Sequence, residues 1–202
     1  MNLKHSYWYF KGVVKPEVCD RIIAMGKRRC TKLGQVNKSS PKELHEYGKE
    51  ELEDLLKVRN SHVAWLDEPW IYNILKPLVD QANKCAEWNF QWDVTESAQF
   101  TEYKPGQFYD WHPDMGTDPY SDGKWQGKYR KLSTTLLLND PSEFDGGTLE
   151  FHHHKDKLTV CEELDMQGSL VVFPSFVYHK VNPVTRGVRY SLVTWNCGFP
   201  FV

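Results

Sequence analysis

The period of the hydrophobic pattern changes near residue 90, and that change limits the folds open to this chain. Over 1–90 the apolar residues recur at helical spacing. Pro16 opens a stretch in which Val18, Ile22, Ile23 and Met25 roughly follow one face, with Gly26 near its end. Trp70 to Trp88 carries Ile71, Ile74, Leu75, Leu78, Val79 and Ala82 on one broad stripe, as a core-facing helix does. Between them, 31–48 holds Gly34, Asn37, Ser39, Ser40 and Pro41 and reads as a loop, while the charged run Lys42 to Lys57 reads as a short exposed helix. After residue 90 the period is two. Ala98 to Tyr103, Ser133 to Leu138, Thr148 to Phe151, Ser169 to Phe173 and Tyr190 to Trp195 read as strands. Turn signals separate them at Pro105-Gly106, Asp122-Gly123, Asp145-Gly146-Gly147, Gln167-Gly168 and Asn182-Pro183. Short strands joined by turns, without helices between them, predict an antiparallel sandwich or jelly-roll barrel. The expected architecture is α+β and mainly β. It is a single domain over 1–202, with a helical support region (1–90) against one outer face of a β core (91–202).

A chain of 202 residues can bury a core large enough to fold without staples. Its net charge of −2 and pI near 6.4 argue against a broad basic surface for nucleic acid. No run approaches the roughly 18 apolar residues that cross a bilayer. The segment MNLKHSYWYFKG has neither an apolar stretch nor a small-residue cleavage site, so no signal peptide is expected. Cys19, Cys30, Cys85, Cys161 and Cys197 are scattered and form no CxxC pair. They read as buried thiols of a reduced, cytoplasmic protein with no membrane association.

Among the histidines, His112 and Asp114 form an H-x-D pair. On a strand, positions i and i+2 share a face, so both side chains can converge on one ion. An imidazole nitrogen and a carboxylate oxygen together suit a divalent first-row metal. His179, which follows the apolar run Leu170-Val171-Val172-Phe173, is the candidate third ligand; its bland alternative is a histidine packed in the core. The rival cluster His152-His153-His154 runs into Lys155-Asp156-Lys157 and reads as an exposed hairpin end. Adjacent strand residues alternate faces, so three in a row cannot grip one ion from regular geometry. Ten residues after His179 comes Arg189, then Ser191. If the chain folds back near Val184, positions 179 and 189 lie opposite each other on neighbouring strands. Arg189 and Ser191 then share a face, and a guanidinium and a hydroxyl beside a metal make a receptor for a carboxylate. A 2-oxo diacid, which chelates at one end and offers a carboxylate at the other, fits that pattern.

At these residues the sequence resembles the iron(II)- and 2-oxoglutarate-dependent dioxygenases, in the prolyl 4-hydroxylase-like branch that includes the PKHD-type hydroxylases. The resemblance spans roughly 95–197. It starts with Gln99-Phe100-Thr101-Glu102-Tyr103-Lys104-Pro105-Gly106-Gln107-Phe108-Tyr109-Asp110-Trp111-His112-Pro113-Asp114. It continues through Arg130-Lys131-Leu132-Ser133 and Phe144-Asp145-Gly146-Gly147-Thr148-Leu149, and closes with Gly168-Ser169-Leu170-Val171-Val172-Phe173-Pro174-Ser175, His179 and Gly187-Val188-Arg189-Tyr190-Ser191-Leu192. The resemblance implies a double-stranded β-helix, a jelly-roll or cupin-like barrel with supporting N-terminal helices. It implies Fe(II) ligation by His112, Asp114 and His179, and a grip by Arg189 on the distal carboxylate of 2-oxoglutarate, with Tyr103 as a further contact. It also implies O2 as co-reactant, ascorbate as a reductant, and a hydroxylated product with succinate and carbon dioxide. The chain departs from some relatives over Thr134 to Leu138, where Leu136 and Leu137 stand in place of a Tyr. The implied target is a prolyl residue in a peptide or protein.

Other readings remain beside this one: a free amino acid or another small molecule as substrate, a cupin-like module that senses iron and 2-oxoglutarate without catalysis, or a zinc protein built on His152, His153 and His154. The chain has 8 Trp, 10 Tyr and 10 Phe, which must pack a core or line a site. Tyr109 and Trp195 are candidates for the wall of a substrate cleft. Trp8, Tyr9, Phe10, Trp65, Trp70, Trp88, Phe90 and Trp92 read as packing residues. The polar loop 115–128 is a candidate lid.

Overall fold

The computed structural model describes residues 3–30, 32–33, 48–153 and 157–201. Its helices are α1 (Pro16–Arg29), α2 (Lys49–Val58) and α3 (Pro69–Cys85). The strands are β1 (Trp8–Phe10), β2 (Lys32–Leu33), β3 (Arg59–Asn60), β4 (His62–Leu66), β5 (Val94–Thr95), β6 (Ala98–Tyr103), β7 (Phe108–His112) and β8 (Tyr129–Leu137), followed by β9 (Phe144–Gly146), β10 (Leu149–His153), β11 (Lys157–Val160), β12 (Leu170–Pro174), β13 (Tyr178–Val181), β14 (Val184–Gly187) and β15 (Arg189–Gly198). A major sheet has the order β1-β12-β8-β15-β6-β4-β2, with β5 also paired to β15; a minor sheet has the order β11-β10-β13-β7-β3. β9 and β14 pair with each other alone.

The fold is mostly β, as expected, and two apolar layers hold it. On the outer face of the major sheet, Ala64, Leu66, Phe100, Leu136, Val172 and Leu192 pack with Cys19 and Ile22 of α1 and with Ile71, Leu75, Val79 and Ala82 of α3. Between the sheets lies a smaller layer of Tyr103, Leu149, Phe151, Val171, Phe173, Val181 and Val184. Each fully buried Leu, Ile or Phe in such a layer stabilises by roughly 1.5–3 kcal/mol.

Three expectations change. The region 1–90 is not simply helical: it supplies β1, β3 and β4 to the two sheets. β4 hides from a period-two search because its faces are not cleanly split; Val63, Ala64 and Leu66 are all buried. Gly26 lies near the end of α1, as expected, but it does not stop the helix, which continues to Arg29. Its role is close approach, since a Cβ there would lie 2.3 Å from the Phe100 ring. α3 ends before Trp88, where Glu87 and Asn89 take φ of 61° and 53° and turn the chain out of the helix. The loop expected over 31–48 falls mainly outside the described residues, as does the charged run before Gly48; the rest of that run forms α2. All five cysteines are free, but only Cys19, Cys161 and Cys197 are buried, whereas Cys30 is half-buried and Cys85 exposed. No helix among the described residues is long and apolar enough to cross a membrane.

Candidate metal and cosubstrate site

The site lies between the sheets. His112 ends β7 and His179 sits on β13, directly opposite each other in register, with Phe151 of β10 next in the row. Asp114 is not on the strand, so the same-face argument fails in detail. Pro113 has no N–H to continue the ladder, and the chain bends so that the Asp114 and Met115 amides both donate to the Ser175 carbonyl, at 2.8 and 2.9 Å. The bend still brings the carboxylate to the histidines. One ligand atom from each of His112, Asp114 and His179 lies within 4.8 Å of the others. His179 Nε2 is 3.6 Å from Asp114 Oδ2, and His112 Nε2 is 3.8 Å from Asp114 Oδ1.

The far sides of both rings are anchored by the backbone. His112 Nδ1 is 2.7 Å from the Asp110 carbonyl and His179 Nδ1 is 3.0 Å from the Val177 carbonyl. A carbonyl can only accept, so Nδ1 carries the proton and Nε2 is left with its lone pair facing the carboxylate. Burial, with His179 nearby, pushes the His112 pKa down to about 3 and keeps that ring neutral, as a metal ligand must be. Burial raises the Asp114 pKa, but the nearby His179, His112 and Arg130 and the Ser133 hydroxyl outweigh it and hold the carboxyl below its ordinary value. The Tyr109 ring stacks on His112, with 3.4 Å between ring centres, and the Arg59 guanidinium lies 4.4 Å from the centre of the same tyrosine ring.

Arg189 faces this cluster from the major sheet. It does not lie opposite His179 on a neighbouring strand, as the sequence suggested. Both edges of β13 are already occupied, by β7 and β10. The chain instead pairs β14 with β9, turns at Gly187 (φ 69°) and enters the major sheet as β15. Arg189 pairs in register with Tyr103 and shares a face with Ser191, whose Oγ accepts from Nη1 at 3.3 Å. Burial lowers the Arg189 pKa, and its Nη2 is buried with no partner. Asp114 Oδ2 is also buried without a hydrogen-bond partner. An orphaned carboxylate oxygen beside two imidazole nitrogens fits a cation, and an orphaned guanidinium nitrogen fits an anion. Gly147 takes φ of 62°, and a Cβ there would lie 2.7 Å from Arg189 Cδ, so the glycine makes room for the arginine stem.

A cleft of about 420 Å³, including its open mouth, joins the two halves of the site and reaches Tyr109 and Trp195. Sequence reasoning missed several residues on it. Gln99 and Thr101 could have been found by counting back in twos from Tyr103, since all three face inward. Arg59, whose Nη2 donates to Gln99 Oε1 at 2.7 Å, arrives from another part of the chain and leaves no local signal. Trp65 packs as expected, its ring 6.0 Å from Trp195, and both indole N–H groups are buried without a hydrogen-bond partner. Arg130 stacks over Trp195 at 3.9 Å and is paired with Glu96 at 2.6 Å. Tyr120, on the loop 115–128, also bonds Glu96, at 2.7 Å.

The other candidates lie elsewhere. Trp111 and exposed His152 meet on the outer face of the minor sheet, 5.8 Å apart. The side chain of His153 and all of His154 fall outside the described residues, as does the expected hairpin end at Lys155 and Asp156. Trp8, Phe10, Trp70, Trp88, Phe90 and Trp92 pack in the main core as expected, whereas Tyr9 is exposed.

Comparison with known proteins agrees with this geometry. The model of the 2OG-Fe(II) oxygenase superfamily matches residues 98–197. That matched stretch holds His112, Asp114, His179 and Arg189. The likeness of sequence is to PKHD-type hydroxylases. One from Sphingopyxis alaskensis is 37% identical over 95 residues, which is 47% of this chain and 41% of that relative. The match therefore spans less than half the relative's length. Among solved structures, a prolyl-4-hydroxylase from Pseudomonas putida superposes with a TM-score of 0.67 at 22% identity, covering 96% of this chain and 92% of the other. A Trichoplax adhaerens prolyl hydroxylase, in complex with a hypoxia inducible factor peptide fragment, gives 0.67 at 16% identity, covering 96% and 84%. At these identities the superpositions speak to the fold.

Proposed function

We propose that this chain, acting as one unit over 1–202 on a double-stranded β-helix scaffold, is an Fe(II)- and 2-oxoglutarate-dependent hydroxylase of a prolyl residue in a peptide or protein. The observation that carries the reading is the pair of orphaned buried atoms, Asp114 Oδ2 and Arg189 Nη2, facing each other's sheet across one cleft. His112, Asp114 and His179 hold the iron, two imidazoles and one carboxylate leaving open positions for ligands. Arg189 binds the distal carboxylate of 2-oxoglutarate through its free Nη2, with Ser191 fixing the guanidinium and Tyr103 beside it. When bound, iron supplies O2 activation and the oxidative decarboxylation of 2-oxoglutarate to succinate and CO2, with one oxygen atom passing to the substrate. Ascorbate serves as the reductant that keeps the iron divalent.

The protein's own contribution is orientation and dryness. The neutral ring of His112 and the apolar rings of Phe151 and Phe173 exclude water on the minor-sheet side. Tyr109 and Trp195 wall the substrate cleft. The unpartnered indole N–H of Trp195 on the cleft wall favours a peptide over a free amino acid, because a peptide backbone brings several carbonyl acceptors. The Trichoplax relative's peptide complex accords with that class of substrate. The test is incubation of the protein with Fe(II), 2-oxoglutarate, ascorbate and a panel of proline-containing peptides. The expected result is succinate together with a peptide heavier by one oxygen atom. Absence of both across the panel, in protein shown to bind iron, would overturn the reading.

A further inference from the structure

Arg130 and Ser133 are three residues apart on β8, yet both face the cleft side of the major sheet. Ser133 pairs in register with Trp195. Arg130 pairs with Cys197, which shares the face of Trp195 by parity, and its guanidinium stacks over the Trp195 ring at 3.9 Å. Regular alternation forbids that arrangement, because positions i and i+3 of a strand point to opposite faces. The exception has a local cause. Asn196 pairs with Leu132 and Cys197 with Arg130, so Lys131 is an extra residue without a partner on β15. A β-bulge of this kind re-aims side chains.

Lys131 is the residue that the bulge turns away from the cleft. It is fully buried, and among the described residues its ammonium has neither a carboxylate nor a hydrogen-bond acceptor. It lies instead 3.4 Å from the centre of the Phe201 ring. That ring packs edge-on against Phe90 at 4.9 Å and Phe176 at 5.9 Å, and Phe90 belongs to the apolar layer behind the sheet. Burying an ammonium without hydrogen bonds is costly, and the face of an aromatic ring offsets part of that cost. Without the bulge, the alternation that runs from Ser133 would send Lys131 to the cleft and Arg130 behind the sheet. We infer that Phe201 is a positioning residue acting through Lys131: it holds the bulge that delivers Arg130, rather than Lys131, to the cleft wall at Trp195. The inference rests on the reading of Trp195 as a wall of the substrate cleft. Arginine suits that place better than lysine. Its planar guanidinium stacks on the indole and binds Glu96 through two nitrogens, Nε at 2.7 Å and Nη2 at 2.6 Å.

The test follows the Arg130 Nε–H, whose bond to Glu96 exists only while Arg130 faces the cleft. Its proton resonance, assigned by its loss in Arg130→Lys, is measured for solvent exchange in wild type, Phe201→Leu, Lys131→Met and the double variant. Phe201→Leu is expected to speed exchange roughly 2- to 30-fold, the range that a cation–π contact is worth. Lys131→Met is expected to exchange at the wild-type rate, because methionine fills an apolar site without needing the ring. The double variant is expected to return to that rate, since Phe201 acts through the ammonium. A merely structural role for Phe201 would leave the double variant as fast as Phe201→Leu. That outcome, or wild-type exchange in Phe201→Leu, overturns the inference. With a peptide that the wild type hydroxylates, the peptide KM is expected to rise in Phe201→Leu and to return in the double variant, with the 2-oxoglutarate KM unchanged. An unchanged peptide KM beside faster exchange overturns the link to the substrate cleft. If the wild type hydroxylates no peptide, the reading of the cleft falls, and the exchange rates still decide whether Phe201 positions Arg130.

Discussion

On the major sheet, the face toward the helices is apolar, while the face toward the cleft mixes polar residues with Tyr103, Val171 and Phe173; on the minor sheet, the cleft face carries the histidines among aromatic rings and the opposite face meets solvent. The major sheet gains its burial from behind, where α1 and α3 cover Leu66, Phe100, Leu136 and Leu192. Its front can therefore hold Gln99, Thr101, Ser133, Thr135, Arg189 and Ser191, all buried, with hydrogen bonds such as Arg59 to Gln99 offsetting the desolvation. α2 packs against β3 and β7 of the minor sheet. That sheet gains its burial from the front, through Phe151 and Val181, which is where His112 and His179 stand. Its back carries Tyr178, Leu158 and Val160, 51%, 56% and 44% exposed. The consequence is a division of chemistry: one sheet presents neutral nitrogens in a dry setting, and the other presents a fixed cation.

The largest expected effects follow from breaking that division on the minor-sheet side. Asp114→Ala or His179→Ala should weaken iron binding by more than the roughly 100-fold that an outer partner is worth, measured by calorimetry or by metal content after dialysis. Full metal content in both variants would sink the ligand assignment. On the major-sheet side, Arg189→Ala should cost 2-oxoglutarate about 2–5 kcal/mol, on the order of 30-fold to several thousand-fold in affinity. Metal content should stay unchanged. A 2-oxoglutarate titration that matches wild type would remove Arg189 from the site.

A third variant attacks the support behind the major sheet rather than the site. Gly26→Ala places a methyl 2.3 Å from the Phe100 ring carbon. Overpacking of that kind typically costs about 1–3 kcal/mol. The measurement is a chemical unfolding midpoint, together with metal affinity of the folded fraction. A lower midpoint with unchanged affinity is the expected pair. A midpoint equal to wild type would show that α1 does not lie on β6 as described.

The β half was legible because its signals are local. The alternation in 98–103 and 190–195 and the turns at Gly106, Gly146 and Gly168, all of positive φ, predict strand and turn within a few residues. The metal cluster was legible because His112, Asp114 and His179 are chemically conspicuous, although Pro113 spoils the parity argument that joined the first two. What was not legible depends on which sheet a strand joins. His179 and Arg189 are ten residues apart, and only the occupied edges of β13 send the second to the other sheet. β4 was lost because burial on both faces erases its period. Arg59 reaches the cleft, and Trp65 reaches Trp195 behind it, on strands from the half of the chain that reads as helical, so nothing in their neighbours marks them.

The smallest expected effect tests the outer face of the minor sheet. His152 shares a register row with His179's neighbour Tyr178 on one side and with Leu158 on the other, and it is exposed, meeting the edge of Trp111 at 5.8 Å. Its strand neighbour Phe151 points the other way, into the row with His179. A substitution on such an exposed strand face changes stability within about ±0.5 kcal/mol. His152→Ala should therefore leave the unfolding midpoint, the iron affinity and the 2-oxoglutarate affinity at wild-type values. Zinc binding offers the contrast: if His152 belonged to a second metal site, the variant would lose zinc that wild type retains after the His112-centred site has been removed by Asp114→Ala. No zinc difference between Asp114→Ala and the double variant would confine the metal chemistry to the cleft face, whereas a difference would mean that both faces of this sheet bind metal.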